Sequence, residues 1–415
     1  MSDLVIMDVR PGGASQCDLV IRDGRIAEVV ARSESLGDSR VDFKADVASG
    51  TRHVDGRNCI ALPGLVNAHT HIDKTLWGAP WHPHAAGPSV AERIRYERTV
   101  LNTLRLPVET HSAQLIRHFI GCGTTHVRTH VDIGPENGLT HFHAVSRMRE
   151  AYREWIDIEL VAFPQTGVMC QPGTLELLEQ AAKEGAEVIG GIDPISLDRD
   201  PKGQLDGIFA IAERHDRNID IHLHDQGEMG AVTIEMVAER TRALGFQGRV
   251  VISHAFCLAS IPTTRLDRLI ELLVEFDIAI MSHGPGGGTP VPPVRLLKER
   301  GVRVFGGTDG VRDAWGPLNS GDLLERAYLI SYVNGWRDDA GLELSLEMLT
   351  YGAAEVLNIP DYGLTPGCTA DVVLVKAQTL GEAVAAHPIR HLVVKNGQIV
   401  ATDGECIIPD DVPTR

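Results

Sequence analysis

The sequence predicts an α/β protein: a (β/α)8 barrel of the TIM type, carrying a small β-sandwich built from both chain termini. Three observations predict it. Eight strand-like apolar runs recur through the middle of the chain, helical patterns separate most of them, and a hairpin signal stands at either end.

The hairpins bracket the rest. Residues 18–26 run strand, Asp23-Gly24 turn, strand, and residues 391–400 repeat the plan around Asn396-Gly397. Both dipeptides tolerate the positive φ angles of tight hairpins. A further apolar run, 370–375, precedes the second hairpin. A two-stranded hairpin is not stable alone, so 1–61 and 360–415 are expected to form one small domain, with 62–359 as the barrel.

Within the barrel region strands are expected at 64–71, 124–132, 157–165, 187–193, 218–225, 249–254, 278–283 and 302–309. Helical patterns such as 174–184, 204–215, 231–244 and 261–275 lie between them. Eight β/α units in about 300 residues fit a closed barrel. A doubly wound open sheet would call for a Gly-rich phosphate loop after the first strand, and the sequence has none there.

Composition narrows the function. With 43% hydrophobic and 23% charged residues, the chain is neither disordered nor fibrous. A formal charge of −17 repels phosphate, which argues against nucleic acid and anionic membrane as partners. The opening MSDLVIMDVRPGG breaks before any long apolar run, so neither a signal peptide nor a membrane span is expected. Seven scattered cysteines without a CxxC read as reduced thiols in a cytoplasmic protein.

Each expected strand is apolar early and ends in residues able to ligate or ionise: His69 and His71, His130 and Asp132, Gln165, Asp193, His222 to Asp225, His254, His283, and Asp309. In such barrels the C-terminal strand ends line the active site. His69-Thr70-His71 puts two imidazoles on one strand face, because side chains alternate with period two. The motif alone is weak, since 18 histidines give about one His-x-His by chance. His82-Pro83-His84 and His141-Phe142-His143 also match, and their loop or helix-start settings read as solvated surface or lid residues. The first pair gains weight from its strand-end position beside His222, His254 and Asp309. Three imidazoles and one carboxylate suit zinc or ferrous iron.

At these residues the chain resembles the amidohydrolase superfamily, in its cytosine-deaminase-like branch. PGLVNAHTHIDKT, VRTHVD, VAFPQTG, IDIHLHD, ISHAFC and GGTDGVRDAW fall in order over essentially the whole length. The resemblance implies one divalent metal ion per chain, zinc ahead of iron, held by His69, His71, His222 and Asp309. It makes His254 the nearby catalytic histidine. Binuclear branches bridge two metals with a carboxylated lysine on the fourth strand, and here that strand reads VIGGID without one. A metal ion brings the pKa of bound water towards neutrality. Asp309 could then take the proton as hydroxide attacks an electron-poor ring carbon, and His254 could stabilise the developing charge. Family resemblance also implies a homo-oligomer, dimer to hexamer.

The pattern departs from cytosine deaminases at two places. Asp225 stands where they carry glutamate, and Gly310 where they carry a second aspartate. His222-x-His224-Asp225 and His71-x-Asp73-Lys74 look closer to the N-isopropylammelide isopropylaminohydrolase subfamily, triazine enzymes that release an alkylamine. That likeness makes Lys74 and Asp225 proton-transfer candidates and Lys74 and His224 substrate contacts. Gln165 matches the glutamine that reads an amide-like ring edge. Trp315 matches a pocket position, and Trp77 and Trp81 could join it in stacking on a planar ring. The stretch from Trp77 to Pro88 is long for a barrel loop and suits a lid.

The expected function is therefore release of ammonia or an alkylamine from a small pyrimidine- or triazine-like heterocycle. The alternatives are ring opening of a cyclic amide and a non-catalytic scaffold.

Overall fold

The two ends of the chain meet in one sheet. A computed structural model describes residues 3–32, 50–286 and 288–409. The chain opens with β1 (Leu4–Pro11), β2 (Cys17–Arg22), β3 (Arg25–Ala31) and β4 (Arg52–Pro63). It crosses Gly64 directly into the barrel strands β5 (Leu65–Thr70), β6 (Thr124–Asp132), β7 (Asp157–Phe163), β8 (Val188–Ile192), β9 (Asn218–His222), β10 (Val250–Ser253), β11 (Ile278–Met281) and β12 (Val304–Phe305). The helices on the way are α1 (Val90–Leu104), α2 (Val108–Gly121), α3 (Thr140–Tyr152), α4 (Thr174–Lys183), α5 (Pro201–His215), α6 (Gly227–Leu244), α7 (Thr263–Glu275), α8 (Val294–Glu299) and α9 (Leu323–Val333). After α10 (Asp339–Glu347) and α11 (Tyr351–Val356), the chain returns to the terminal sheet as β13 (Val372–Val375), β14 (Arg390–Lys395), β15 (Gln398–Thr402) and β16 (Glu405–Cys406).

The eight parallel barrel strands pair in sequence order from β5 to β12, and a parallel bridge between Thr70 and Asp309 joins the two ends of that row. All eight fall where the sequence predicts them. Strands such as β8, β10 and β11 are buried along their whole length, as parallel strands with both faces covered must be. The surrounding helices bury one stripe each. In α7, Leu266, Leu269, Ile270 and Leu273 recur at helical spacing and are buried. Each such leucine contributes about 2 kcal/mol. Local chemistry fixes the starts: Ser89 and Glu92 form a reciprocal cap on α1, and Asp200 caps α5 with Pro201 at its first position.

The terminal sheet runs β16-β15-β14-β13-β4-β1-β2-β3. Both hairpin turns take the positive φ their sequences favour, 50° and 75° at Asp23-Gly24 and 49° and 77° at Asn396-Gly397. Leu19 and Ile21 from one half share a core with Val372, Leu374 and Val394 from the other. The two layers are thus one continuous sheet folded over itself. The two turns touch: a Cβ on Gly397 would lie 3.0 Å from the Gly24 Cα.

Candidate active site

The barrel strands end just before, or on, their polar residues, and the chain then turns sharply. His254 and Ala255 (φ 72° and 46°), Asp309 (φ 60°) and Asp193 (φ 31°) all adopt the left-handed region that non-glycine residues rarely occupy. Such strain persists where surrounding bonds over-determine it. Here the Asp309 amide donates to the His69 carbonyl at 2.9 Å, and the His254 amide to the Met281 carbonyl at 3.0 Å.

Donor atoms of His69, His71, His130 and His222 lie within 4.8 Å of one another, and those of His69, His254 and Asp309 do so as well. His71 Nε2 is 3.3 Å from His222 Nε2 and 3.3 Å from Asp309 Oδ1, which is itself 3.7 Å from His69 Nε2. Ligands about 2.0–2.1 Å from a tetrahedral ion stand about 3.3–3.4 Å apart, so the two 3.3 Å separations fit a bound cation and the third, 3.7 Å, is slightly wide of it. The His69 Nε2 atom is buried without a hydrogen-bond partner. Burial holds His69 and His222 well below their ordinary pKa and His71 down at about 4. Burial would raise Asp309, but His283, the His71 hydrogen bond and other imidazoles outweigh it and hold the carboxyl well below its usual range. Neutral imidazoles around a carboxylate are what a divalent cation requires.

A second layer orients the first. Ser253 Oγ donates to Asp220 Oδ1 at 2.6 Å and lies 3.1 Å from His69 Nδ1. Its single proton is committed, so it accepts from His69 Nδ1–H and leaves the Nε2 lone pair free. His130 packs its ring 4.1 Å from that of His69, with Nε2 3.5 Å from Asp220 Oδ2.

Above this cluster opens a cavity of about 440 Å³, lined among others by Lys74, Gln165, His224, His254 and Trp315. The His254 ring stacks on His224 at 4.6 Å, and its Nδ1 is 3.3 Å from His283 Nδ1. Its Nε2 is buried and unpartnered. Burial, then the charge on His224, keeps His254 well below its ordinary pKa. Asp193 grips His224 twice, with Oδ2 at 2.7 Å from Nδ1 and Oδ1 accepting the His224 amide at 2.6 Å. Burial works against the charged ring, yet Asp193 outweighs it and the His224 pKa is raised.

Lys74 is 3% exposed and donates to Gln165 Oε1, while Glu97 on α1 lies 3.5 Å from its ammonium. Burial opposes the lysine charge, but Glu97 and neighbouring aspartates raise its pKa overall. Burial pushes the Glu97 carboxyl up to about 8, against the pull of Lys74. With Lys74 bound to its oxygen, Gln165 keeps its amide N–H donors and one acceptor lone pair to offer.

Several expectations change. Asp225 is absent from the cavity lining, and its Oδ2 accepts the Ser196 amide at 3.3 Å. Beyond Ile192 and His222 the chain has left the strands, so period-two alternation no longer aims this carboxylate inward. Trp315 lines the cavity, but Trp77 stacks on His118 at 4.1 Å and Trp81 is 64% exposed, so the three do not form one stacking cluster. His141 is no solvated residue, because its Nδ1 meets buried Asp73 at 2.9 Å. In the His82–His84 loop, His84 Nε2 lies 2.8 Å from the Asp313 carbonyl. Sequence reasoning missed Glu97, Ser253, Asp220 and Asp313. A second cavity, about 490 Å³, opens at the far ends of the barrel strands. Its Lys395 is already paired with Asp157 at 2.6 Å and Asp371 at 2.7 Å, and none of the proposed site residues reaches it.

Residues 97–401 match the amidohydrolase family. N-isopropylammelide isopropyl amidohydrolase of Pseudomonas sp. (strain ADP) is 29% identical over 401 residues, covering 93% of this chain and 98% of that protein. The crystal structure of N-isopropylammelide isopropylaminohydrolase from Burkholderia multivorans superposes with a TM-score of 0.91 at 44% identity, covering 98% of this chain and all of that one. 5-Methylcytosine deaminase from Klebsiella pneumoniae shares the fold, with a TM-score of 0.83 at 23% identity over 96% of this chain and 97% of that one.

Proposed function

Since the chain belongs to the amidohydrolase family, hydrolases acting on C–N bonds, we propose that it removes an amine from a small planar nitrogen heterocycle. The preferred substrate is an N-alkylated oxo-triazine and the leaving group an alkylamine. The observation that carries this reading is the cluster of His69, His71, His130 and His222, with Asp309 within 3.3 Å of His71 and 3.7 Å of His69, beneath a cavity walled by Lys74, Gln165, His224 and Trp315. The 44%-identical relative bears the name of a triazine aminohydrolase, which favours that ring over a pyrimidine.

His69, His71, His222 and Asp309 would hold one divalent ion, zinc, with ferrous iron suited to the same donors. Bound there, it would lower the pKa of a water to about 7 and polarise the substrate. The sequence of β8, VIGGI, supports a single ion, since it offers no lysine to bridge two, and at Gly190 a Cβ would meet the Ala162 carbonyl at 2.8 Å.

The ring is oriented by Trp315 against one face, with Lys74 Nζ and the Gln165 amide donating to a ring oxygen. Asp309 takes the proton lost by the attacking water. Neutral His254, braced by His283, hydrogen-bonds the charge that develops at the attacked carbon. The His224 imidazolium protonates the leaving nitrogen, the C–N bond breaks, and the amine departs. The proton on Asp309 then returns to His224 through the emptied cavity. Water is consumed, and amine and oxo-ring are released.

Seven free cysteines fit a reducing compartment, and we place the protein in the cytoplasm as a homo-oligomer. Among the described residues no helix is long and apolar enough to cross a membrane.

The test is nitrogen release by zinc-loaded protein across cytosine, isoguanine, creatinine, pterin, ammelide and N-alkylated triazines, scoring ammonia and alkylamine separately. Alkylamine from the triazines is expected. No nitrogen release from any compound would move the reading to cyclic-amide ring opening.

A further inference from the structure

Five lysines and arginines are buried among the described residues, and four have an acid close by. Lys74 lies beside Glu97 and within the field of Asp73, Asp132 and Asp313, Arg128 pairs with Glu159, Arg390 with Asp322, and Lys395 with Asp157 and Asp371. Arg326 is the exception. It is 5% exposed, and among the described residues it forms no ion pair, the charges of Asp309 and Glu325 acting on it only from beyond that distance. Its NH1 donates to the His283 carbonyl at 2.9 Å, while its Nε is buried with no partner at all. A buried cation left in this state is costly unless something else supplies the anion.

Its position says where that anion would come from. Arg326, Leu329 and Val333 recur at i, i+3 and i+7 on α9, which puts them on one helix face, and all three line the active-site cavity. The two carboxylates of the cavity wall are already committed. Asp309 faces the imidazoles, and Asp313 Oδ1 accepts the amides of Trp315 at 2.9 Å and Gly316 at 3.3 Å. Lys74, His224 and Arg93 also line the cavity, so it gathers cations inside a chain whose net charge is −17. A planar guanidinium fork matches an anionic oxygen pair or a ring oxygen carrying delocalised charge.

We infer that Arg326 recognises an anionic oxygen on the substrate, so that the aminohydrolase reading, on which this rests, narrows to anionic heterocycles. The charge resides either on the ring, through an ionised imide, or on a carboxylate attached to it. Leu329 and Val333 beside the guanidinium give the uncharged part of the molecule an apolar surface. Arg326 is thereby a specificity residue, and the acid it lacks in the protein arrives with the ligand.

The test is calorimetric binding of three six-membered rings to zinc-loaded protein: barbiturate, ionised on the ring; orotate, bearing a carboxylate; and neutral uracil. At least one anion is expected to bind about 30-fold or more tightly than uracil. Barbiturate preference identifies a ring anion, and orotate preference a carboxylate. Arg326→Met should abolish the preference and leave uracil affinity within about threefold, while Arg326→Lys keeps part of it. Retained zinc content and an unchanged melting temperature certify the folded variants. No anion preference in the unaltered protein, no binding of any ring, a preference that survives Arg326→Met, or equal loss of all three rings would overturn the inference. The last outcome would make Arg326 a prop for the His283 carbonyl. Because binding is read without turnover, an Arg326-dependent anion preference with no nitrogen release would sink the aminohydrolase reading alone. Nitrogen release without that preference would sink only the inference.

Discussion

Gly310 is bare because Asp313 fills its space: a Cβ on residue 310 would fall 1.7 Å from Asp313 Oδ2. The chain has no acid directly after Asp309, and the carboxylate of Asp313, three residues beyond Gly310, folds back into the same cavity wall. Burial, with Asp309 adding to it, pushes this carboxyl up to about 6.

Gly310→Ala is expected to lower kcat/KM by about 100-fold through displacement of Asp313 and the loop carrying Trp315, with zinc still bound. Gly310→Ala combined with Asp313→Ala should recover part of that loss, which steady-state kinetics and metal analysis would show. A double variant no better than the single one would refute the steric link.

Ser253→Ala removes the hydroxyl between His69 Nδ1 and Asp220 Oδ1. Zinc affinity should fall about 10–100-fold, as for other supports of ligating histidines. Competition against a chelator of known affinity measures it, and an unchanged constant would remove Ser253 from the metal's support.

Asp193→Asn should convert His224 from a raised to an ordinary or lowered pKa. Activity that needs the imidazolium is present at low pH and lost as pH rises through the His224 pKa. In the variant that loss should therefore come at lower pH, and kcat at neutrality should drop about 100-fold. A basic limb that stays in place in the pH–rate profile would take the proton-donor role away from His224.

Glu97 links the same cavity to stability. Its carboxyl pKa rises from 4.5 to about 8 on burial, so the folded protein keeps a proton that the unfolded chain gives up. The stability it contributes is full below the lower value and is lost as pH climbs through the upper one. Glu97→Gln carries no such proton. The melting temperature of the variant minus that of the zinc-loaded parent should therefore increase steadily over this interval. A flat or falling difference would mean that Glu97 stays ionised beside Lys74.

Much of the barrel was legible because its strands are continuous apolar runs that end in histidine or aspartate. Those strand ends also made the convergence of His69, His71, His222 and Asp309 legible, since in a parallel barrel all C-terminal ends face one opening. What stayed hidden depends on contacts between distant segments. Glu97 sits in a polar stretch of α1 and reads as a surface charge, because nothing local tells that Lys74 will be buried against it. Ser253 and Asp220 meet only when β9 and β10 pair. Asp225 differs for the opposite reason: its spacing from His222 suits the cavity, but the chain turns after the strand, Asp225 stays out of the cavity lining and its oxygen accepts the Ser196 amide. Arg326 follows the last barrel strand on a helix whose inward face no sequence period distinguishes from its core face.

The central claim is that water replaces an amine on an intact ring. The most direct measurement is mass analysis of products formed by zinc-loaded protein from an N-alkylated oxo-triazine in isotopically heavy-oxygen water. The account predicts one labelled oxygen on the ring carbon that bore the amine, an unbroken ring, and one equivalent of free alkylamine. A labelled, ring-opened product that keeps its alkylamine would contradict it.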